Sequence, residues 1–238
     1  ILTSDGEVYT AGYNDNGQCG QGNNSRVSRL TKVEALKDEN VTQVHAYNGC
    51  EHTLLVTDSG ALWSFGYNYR GQLGHGNTSS ESIPKQVRSL KGFRVVSVSC
   101  SYYHSVVITS DRNVFTFGRN DFGQLGHGDT IDRKEPFRIS ALEGSEVTSV
   151  ACGQYHTSFV TSKGELKSCG KNDYGQLGLD SSDSQRRPMN VEGALKNETV
   201  IMVKAGYYHT IVLTHQGSVY TFGRNDYGQL GLHHTTQR

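Results

Sequence analysis

Asn120-Asp121-Phe122-Gly123-Gln124-Leu125-Gly126 decides the fold, because nearly the same seven residues return along the whole chain. They stand again as Asn14-Asp-Asn-Gly-Gln-Cys-Gly, Asn68-Tyr-Arg-Gly-Gln-Leu-Gly, Asn172-Asp-Tyr-Gly-Gln-Leu-Gly and Asn225-Asp-Tyr-Gly-Gln-Leu-Gly, at spacings of 54, 52, 52 and 53 residues. His52, His104, His156 and His209 keep the same phase, each 19 residues before the first Gly of the following motif. The three prolines, Pro84, Pro136 and Pro188, are spaced 52 and 52. Three independent markers on one period make this a repeat protein in which one repeat is one structural unit.

Within a repeat, four short apolar or alternating runs are separated by turn residues, which predicts a four-stranded antiparallel unit. In one repeat the runs are Phe93 to Ser99, His104 to Thr109, Asn113 to Gly118 and Pro136 to Ile139. The second, His104-Ser-Val-Val-Ile-Thr, is nearly all apolar, as expected of a strand covered on both faces. The turn between the second and third runs carries Gly6, Gly60, Gly164 and Gly217, but Arg112 in one repeat, where a left-handed conformation would cost about 1 kcal/mol. Proline has no ladder donor, so it is expected to open the fourth strand, at the outer edge of the unit. Two extra residues of the first repeat fall between Val44 and His52, in the loop joining its first two strands. A small residue, Ala46, Cys100, Cys152 or Ala205, recurs two positions after an inner-strand valine and reads as a packing position. The Gly-Gln-Leu-Gly loop reads as a latch whose Leu plugs an apolar pocket and whose Gln amide satisfies backbone groups.

The succession Cys152-Gly-Gln-Tyr-His-Thr, Lys163-Gly-Glu-Leu and Gly170-Lys-Asn-Asp-Tyr-Gly-Gln-Leu-Gly resembles the RCC1-type (regulator of chromosome condensation) repeat family, and the resemblance covers essentially the whole chain. It implies an all-β fold, a β-propeller of four-stranded antiparallel blades. About four to five of seven are present in one propeller domain over residues 1–238, with motifs at 12–22, 66–76, 118–128, 170–180 and 223–233. Seven blades need on the order of 360 residues, so the chain is expected to be a fragment of a larger protein. The resemblance further implies a protein partner. Members of the family include exchange factors for the small GTPase Ran, chromatin-associated proteins and modules of ubiquitin ligases. Plant ultraviolet-B receptors share the fold but need clustered tryptophans, and Trp63 is the one tryptophan here.

Composition narrows the function. Lys plus Arg equals Asp plus Glu at 23 each, so no global field draws the chain to nucleic acid, chromatin or an anionic membrane. No apolar run approaches the roughly 18 residues of a membrane span. Five cysteines without Cys-x-x-Cys spacing predict reduced thiols and a cytoplasmic or nuclear setting. The four repeated histidines point along separate radial directions and cannot converge on one ion, so they read as hydrogen-bonding residues, and no metal ligand is expected. No phosphate loop, zincin motif or nucleophile elbow occurs, which predicts no catalytic residue, no cofactor and no enzyme activity of this chain's own.

A binding face follows from strand order. The loop between the first and second strands and the loop after the third lie at one end of an up-and-down blade. The first carries Tyr102, Tyr103, Tyr155, Tyr207 and Tyr208, and the second Arg119, Phe122, Lys171, Tyr174, Arg224 and Tyr227. Tyrosine and arginine are the types enriched in interface hot spots. The expected patches are Tyr207, Tyr208, Arg224 and Tyr227 together, and Tyr102, Tyr103, Arg119 and Phe122 together. The expected function is a non-catalytic protein-interaction scaffold that regulates a small GTPase or serves a larger protein such as a ubiquitin ligase. The second reading is a guanine-nucleotide exchange factor for a Ran-type GTPase.

Overall fold

A computed structural model describes residues 1–46 and 50–236. The first sheet pairs β1 (Tyr9–Gly12) with β2 (Val27–Lys32). Three four-stranded sheets follow. They are β3 (Val41–His45), β4 (His52–Thr57), β5 (Leu62–Gly66) and β6 (Glu81–Gln86); then β7 (Val95–Cys100), β8 (His104–Thr109), β9 (Val114–Gly118) and β10 (Arg133–Arg138); then β11 (Val147–Cys152), β12 (His156–Thr161), β13 (Leu166–Gly170) and β14 (Gln185–Asn190). The last sheet holds β15 (Val200–Ala205), β16 (His209–Thr214) and β17 (Val219–Gly223). Each sheet is a simple meander in chain order, with the fourth strand of each four-stranded sheet at one edge. Pairing is antiparallel, for example His156 opposite Gly170 and Phe159 opposite Lys167. Among the described residues no helix is long and apolar enough to cross a membrane.

The chain divides into two compact units. The first comprises residues 1–111, 115–119 and 132–137, and the second residues 112–114, 120–131 and 138–238. In the first unit, one apolar cluster joins Val8, Val33 and Leu36 to Leu55 and Phe65, and another joins Leu54, Val56 and Leu62 to Val98, Val107 and Phe117. In the second, Val160, Leu166 and Leu195 pack on Val203 and Val212. Within each unit the cores therefore lie between successive sheets, which cover one another without a helix. All six residues of β4, β8 and β12 are buried, as the unbroken apolar run predicts. Cys100 and Cys152 are buried too.

Three details differ from the sequence reading. Strand β7 begins at Val95 rather than Phe93 and runs to Cys100, while β9 begins at Val114 rather than Asn113. Pro84, Pro136 and Pro188 do not open the fourth strand but sit at its fourth position. The register shifts between Gly66↔Glu81 and Ser64↔Lys85, and again between Gly170↔Gln185 and Ser168↔Met189. Pro84 and Pro188 thus lie in a bulge, where no ladder donor is required. The third detail is a short 3-10 turn after each fourth strand and after β2, at Glu34–Leu36, Arg88–Leu90, Ser140–Leu142 and Gly193–Leu195, each burying its leucine. The loop between Val44 and His52, assigned the extra residues of the first repeat, falls in part outside the described residues.

Arg112 adopts φ 63°, where its counterparts are glycine at 77–84°. Relief of about 1–2 kcal/mol of left-handed strain is partly offset by about 0.4–1 kcal/mol of added freedom in the unfolded chain. Arg112→Gly is therefore expected to raise stability by about 0.5 kcal/mol, read from the urea midpoint. A lowered midpoint would show that the arginine is held there by contacts of its own.

Candidate protein-binding surface

The Gly-Gln-Leu-Gly loop is held by its own side chains. The N–H of the motif leucine donates to the Oδ1 of the motif asparagine, at 2.9 Å for Leu73–Asn68, Leu125–Asn120 and Leu177–Asn172. The glutamine Oε1 accepts the N–H two residues before it, from Arg70, Phe122, Tyr174 and Tyr227 in turn, at 2.9–3.0 Å. Those four are the variable side chains of the loop, so the invariant Asn and Gln fix the backbone from which they project. The asparagine role is absent from the sequence reading, which gave the latch to Gln and Leu alone.

A second device sets the loop against the preceding hairpin. Gly118, Gly170 and Gly223 have φ of 103°, 107° and 111°. A Cβ there would lie 2.3–2.4 Å from the carbonyl oxygens of Tyr103, Tyr155 and Tyr208. The next residue donates its N–H to that same oxygen, Arg119 to Tyr103 at 2.9 Å, and Lys171 to Tyr155 and Arg224 to Tyr208 at 2.8 Å. The glycine lets the chains approach, and the hydrogen bond registers each cation beside a tyrosine.

The side chains interlock accordingly. In the first unit the Arg119 guanidinium lies 5.2 Å from the Tyr103 ring centre, and Tyr102 meets Tyr103 edge-on at 4.6 Å. In the second unit Lys171 lies 4.8 Å from the Phe122 ring and 5.8 Å from Tyr155. Arg224 lies 5.2 Å from Tyr174 and 5.7 Å from both Tyr208 and Tyr227. Rings pair as Phe122–Tyr155, Tyr174–Tyr208 and Tyr207–Tyr208, at 5.3, 5.3 and 6.4 Å. Such contacts are worth roughly 0.5–1.5 kcal/mol each. Carboxylates neutralise two of the cations, Asp173 on Lys171 at 3.0 Å and Asp226 on Arg224 at 2.7 Å. Burial raises the Tyr208 hydroxyl above the usual tyrosine range.

Tyr207, Tyr208, Arg224 and Tyr227 therefore come together as the sequence predicts. Phe122 does not follow its expected grouping, because its ring contacts are with Tyr155 and Lys171. The reason is its place three residues past Arg119, on the side of the loop that meets the next hairpin. Two tyrosines escaped the sequence reading. Tyr67 lies 6.2 Å from Tyr103 and 6.3 Å from Tyr69, which is 69% exposed. The signal was present, since Tyr67 and Arg70 occupy the motif positions of Arg119 and Phe122 with the residue types exchanged. Most of these side chains are half-buried by one another, while Tyr227 and Tyr207 are 85% and 39% exposed.

The repeated histidines act as a latch between successive sheets within each unit. His52 Nε2 is 2.9 Å from Ser105 Oγ, and that hydroxyl donates to the Gln72 carbonyl at 2.8 Å. His156 Nε2 is 2.9 Å from Thr210 Oγ1, which donates to the Gln176 carbonyl at 2.8 Å. A hydroxyl whose single hydrogen is committed to a carbonyl can only accept, so Nε2 carries the proton and Nδ1 the lone pair. Burial, reinforced by His209, lowers the His156 pKa to about 3.

A family model described as "RCC1-like domain" matches residues 1–238. The chain is 38% identical over 232 residues to the E3 ubiquitin-protein ligase HERC2 of Homo sapiens, covering 97% of this chain and 5% of that protein. It is 33% identical over 237 residues to the ultraviolet-B receptor UVR8 of Arabidopsis thaliana, covering 100% of this chain and 53% of that one. The chain thus spans a small fraction of the first relative and about half of the second. Among solved structures, human WBSCR16 matches with a TM-score of 0.88 at 24% identity, over 100% of this chain and 62% of its own. Prp20p from Saccharomyces cerevisiae, described with its binding properties to Gsp1p and histones, matches with a TM-score of 0.81 at 20% identity, over 96% of this chain and 56% of its own. At these identities the structural likeness establishes the fold, an all-β architecture of propeller blades.

Proposed function

This chain belongs to the RCC1-like domain family, and from that we propose that it is the protein-recognition part of a larger assembly, binding through its tyrosine and cation face. The observation that carries the reading is the interlocked set of Arg224, Tyr174, Tyr208 and Tyr227. Rings already immobilised by a cation and by each other lose little conformational freedom when a partner arrives, which is what a hot spot requires. The finer role is regulation of a small GTPase or presentation of substrates within a protein such as a ubiquitin ligase. The name of the relative HERC2 supports the second of these.

Tyr207 and Tyr227 separate binding from folding because they are the most exposed members of their cluster. Tyr207→Ala and Tyr227→Ala are expected to weaken partner binding by about 2 kcal/mol each, with stability changed by less than about 0.5 kcal/mol. Charge reversal at Lys163, exposed in the turn between β12 and β13, serves as the control. Affinity capture and thermal denaturation of each variant test this. Binding lost with Lys163→Glu but kept in both tyrosine variants would move the site to the other end of the blades.

The exchange-factor reading draws on the fold likeness to Prp20p and on its described binding to Gsp1p. It requires that this chain accelerate nucleotide release from a Ran-type GTPase, and repeats spaced at 52 to 54 residues carry no long insertion to do so. No acceleration is expected in a fluorescent-nucleotide assay. A tenfold increase, about 1.4 kcal/mol off the barrier, would promote this reading over the first.

A further inference from the structure

His52 differs from the other repeated histidines in what faces its Nδ1. Cys50 Sγ lies 3.0 Å from that nitrogen, and 3.8 Å from the Sγ of Cys100. The ligand atoms of Cys50, His52 and Cys100 all fall within 4.8 Å of one another. On the far side of Cys100, His45 Nδ1 is 3.5 Å from its sulfur and accepts the Cys100 N–H at 3.4 Å. Two thiols and the His52 imidazole, from the start of β4 with the residues just before it and from the end of β7, therefore converge in the first unit, with His45 beside Cys100 on the outer side.

We propose that Cys50, His52 and Cys100 form a three-residue binding site for a thiophilic divalent cation of the zinc type, with solvent taking the fourth position. Tetrahedral zinc, with Zn–S of about 2.3 Å and Zn–N of about 2.0–2.1 Å, places two sulfurs about 3.8 Å apart and a sulfur and a nitrogen about 3.5 Å apart. The Cys50–Cys100 separation of 3.8 Å already meets this. The Cys50–His52 separation of 3.0 Å is shorter than this and must open by about half an ångström to admit the ion.

The outer shell is in place as well. His52 Nε2–H donates to Ser105 Oγ, which in turn donates to the Gln72 carbonyl. That relay commits the ring to the tautomer whose Nδ1 lone pair faces the sulfurs, the arrangement in which a histidine binds a metal. Without an ion, Cys50 donates its thiol hydrogen to the Ser101 carbonyl at 2.8 Å. On binding, each of the two thiols releases a proton to solvent and the two sulfurs take the ion in their place. Cys50 also lines an open cavity of about 410 Å³ with Tyr13, Gln18 and Ala46, which supplies the entry path. The other repeats cannot build the site, since Tyr102, Gln154 and Tyr207 stand two residues before their histidines. The expectation of no metal ligand rests on the four equivalent histidines taken together; this cluster uses only one of them.

The test is titration of the reduced chain with Zn²⁺ by calorimetry and with Co²⁺ by absorption spectroscopy. One ion per chain is expected, with the intense thiolate-to-cobalt charge-transfer band and visible bands of a tetrahedral centre. Cys50→Ser and Cys100→Ala should each lower Zn²⁺ affinity at least about 100-fold, and Ser105→Ala about 10-fold through the outer shell. Cys152→Ala, in the second unit, should bind as the parent does. Circular dichroism identifies any variant that fails to fold, and half-buried Cys50 makes Cys50→Ser the deciding one. Absence of stoichiometric binding by the folded parent, or a charge-transfer band that survives Cys50→Ser, overturns the proposal.

Discussion

Gly170→Ala is expected to destabilise the chain by about 3–5 kcal/mol and to dismantle the Lys171 face at the same time. At φ 107° an alanine is strained by about 1–3 kcal/mol. Its Cβ would also stand 2.3 Å from the Tyr155 carbonyl oxygen and 2.7 Å from His156 Cα. Both are backbone atoms of a buried strand end and cannot swing aside, so overpacking adds about 1–3 kcal/mol more. Separating the two chains also stretches the 2.8 Å hydrogen bond from Lys171 N–H to that carbonyl, which holds the cation over Tyr155 and Phe122. Gly144→Ala isolates the dihedral contribution, because Gly144 has φ 74° with nothing within 4 Å of the added carbon, and should cost only about 1–2 kcal/mol. Chemical denaturation of both variants gives the comparison. Equal losses would mean that strain alone governs these glycines and that the close approach is incidental.

Acid should destabilise the fold through His156, by roughly 2 kcal/mol between pH 6.5 and 4.5. The ring is fully buried and neutral, with its pKa lowered to about 3 by burial and then by His209. An unfolded histidine titrates near 6.5, so between about pH 6.5 and 3 the unfolded chain binds a proton that the native chain refuses. Stability from this residue is fully present above pH 6.5 and falls by about 1.4 kcal/mol per pH unit below it. His75 and His209, also lowered by burial, shift in the same direction and steepen the loss. His156→Gln should be less stable than the parent at pH 7, having lost the bond to Thr210, yet show a shallower decline with acid. Urea unfolding across this range measures the slope. Parallel slopes for parent and variant would show that His156 is protonated in the native state.

Much of the architecture was legible because repetition amplifies weak local signals. One apolar run is ambiguous between strand and buried helix, but His104–Thr109, His156–Thr161 and His209–Thr214 recur in phase and became β8, β12 and β16 over those residues. The 3-10 turns were missed although Val33/Leu36, Val87/Leu90 and Ile139/Leu142 give the three-residue apolar step, because a single turn is too short to stand out as periodicity. The prolines were misplaced within their strands since sequence shows that proline lacks a donor but not that a bulge absorbs it.

The repeat, the strand order and the residue types brought to one end of each blade can all be read from the chain alone, because they follow from a period visible along it. Which neighbours those residues acquire is settled by packing in three dimensions. Phe122 belongs with Tyr155 and Lys171, and Cys50 with Cys100. Those pairings run between one repeat and the next, across 33 and 50 residues for Phe122–Tyr155 and Cys50–Cys100. They depend on how far each loop leans toward the following sheet, a distance of a few ångströms set by glycine dihedrals and buried hydrogen bonds. A one-dimensional pattern records the period of such contacts but not their reach.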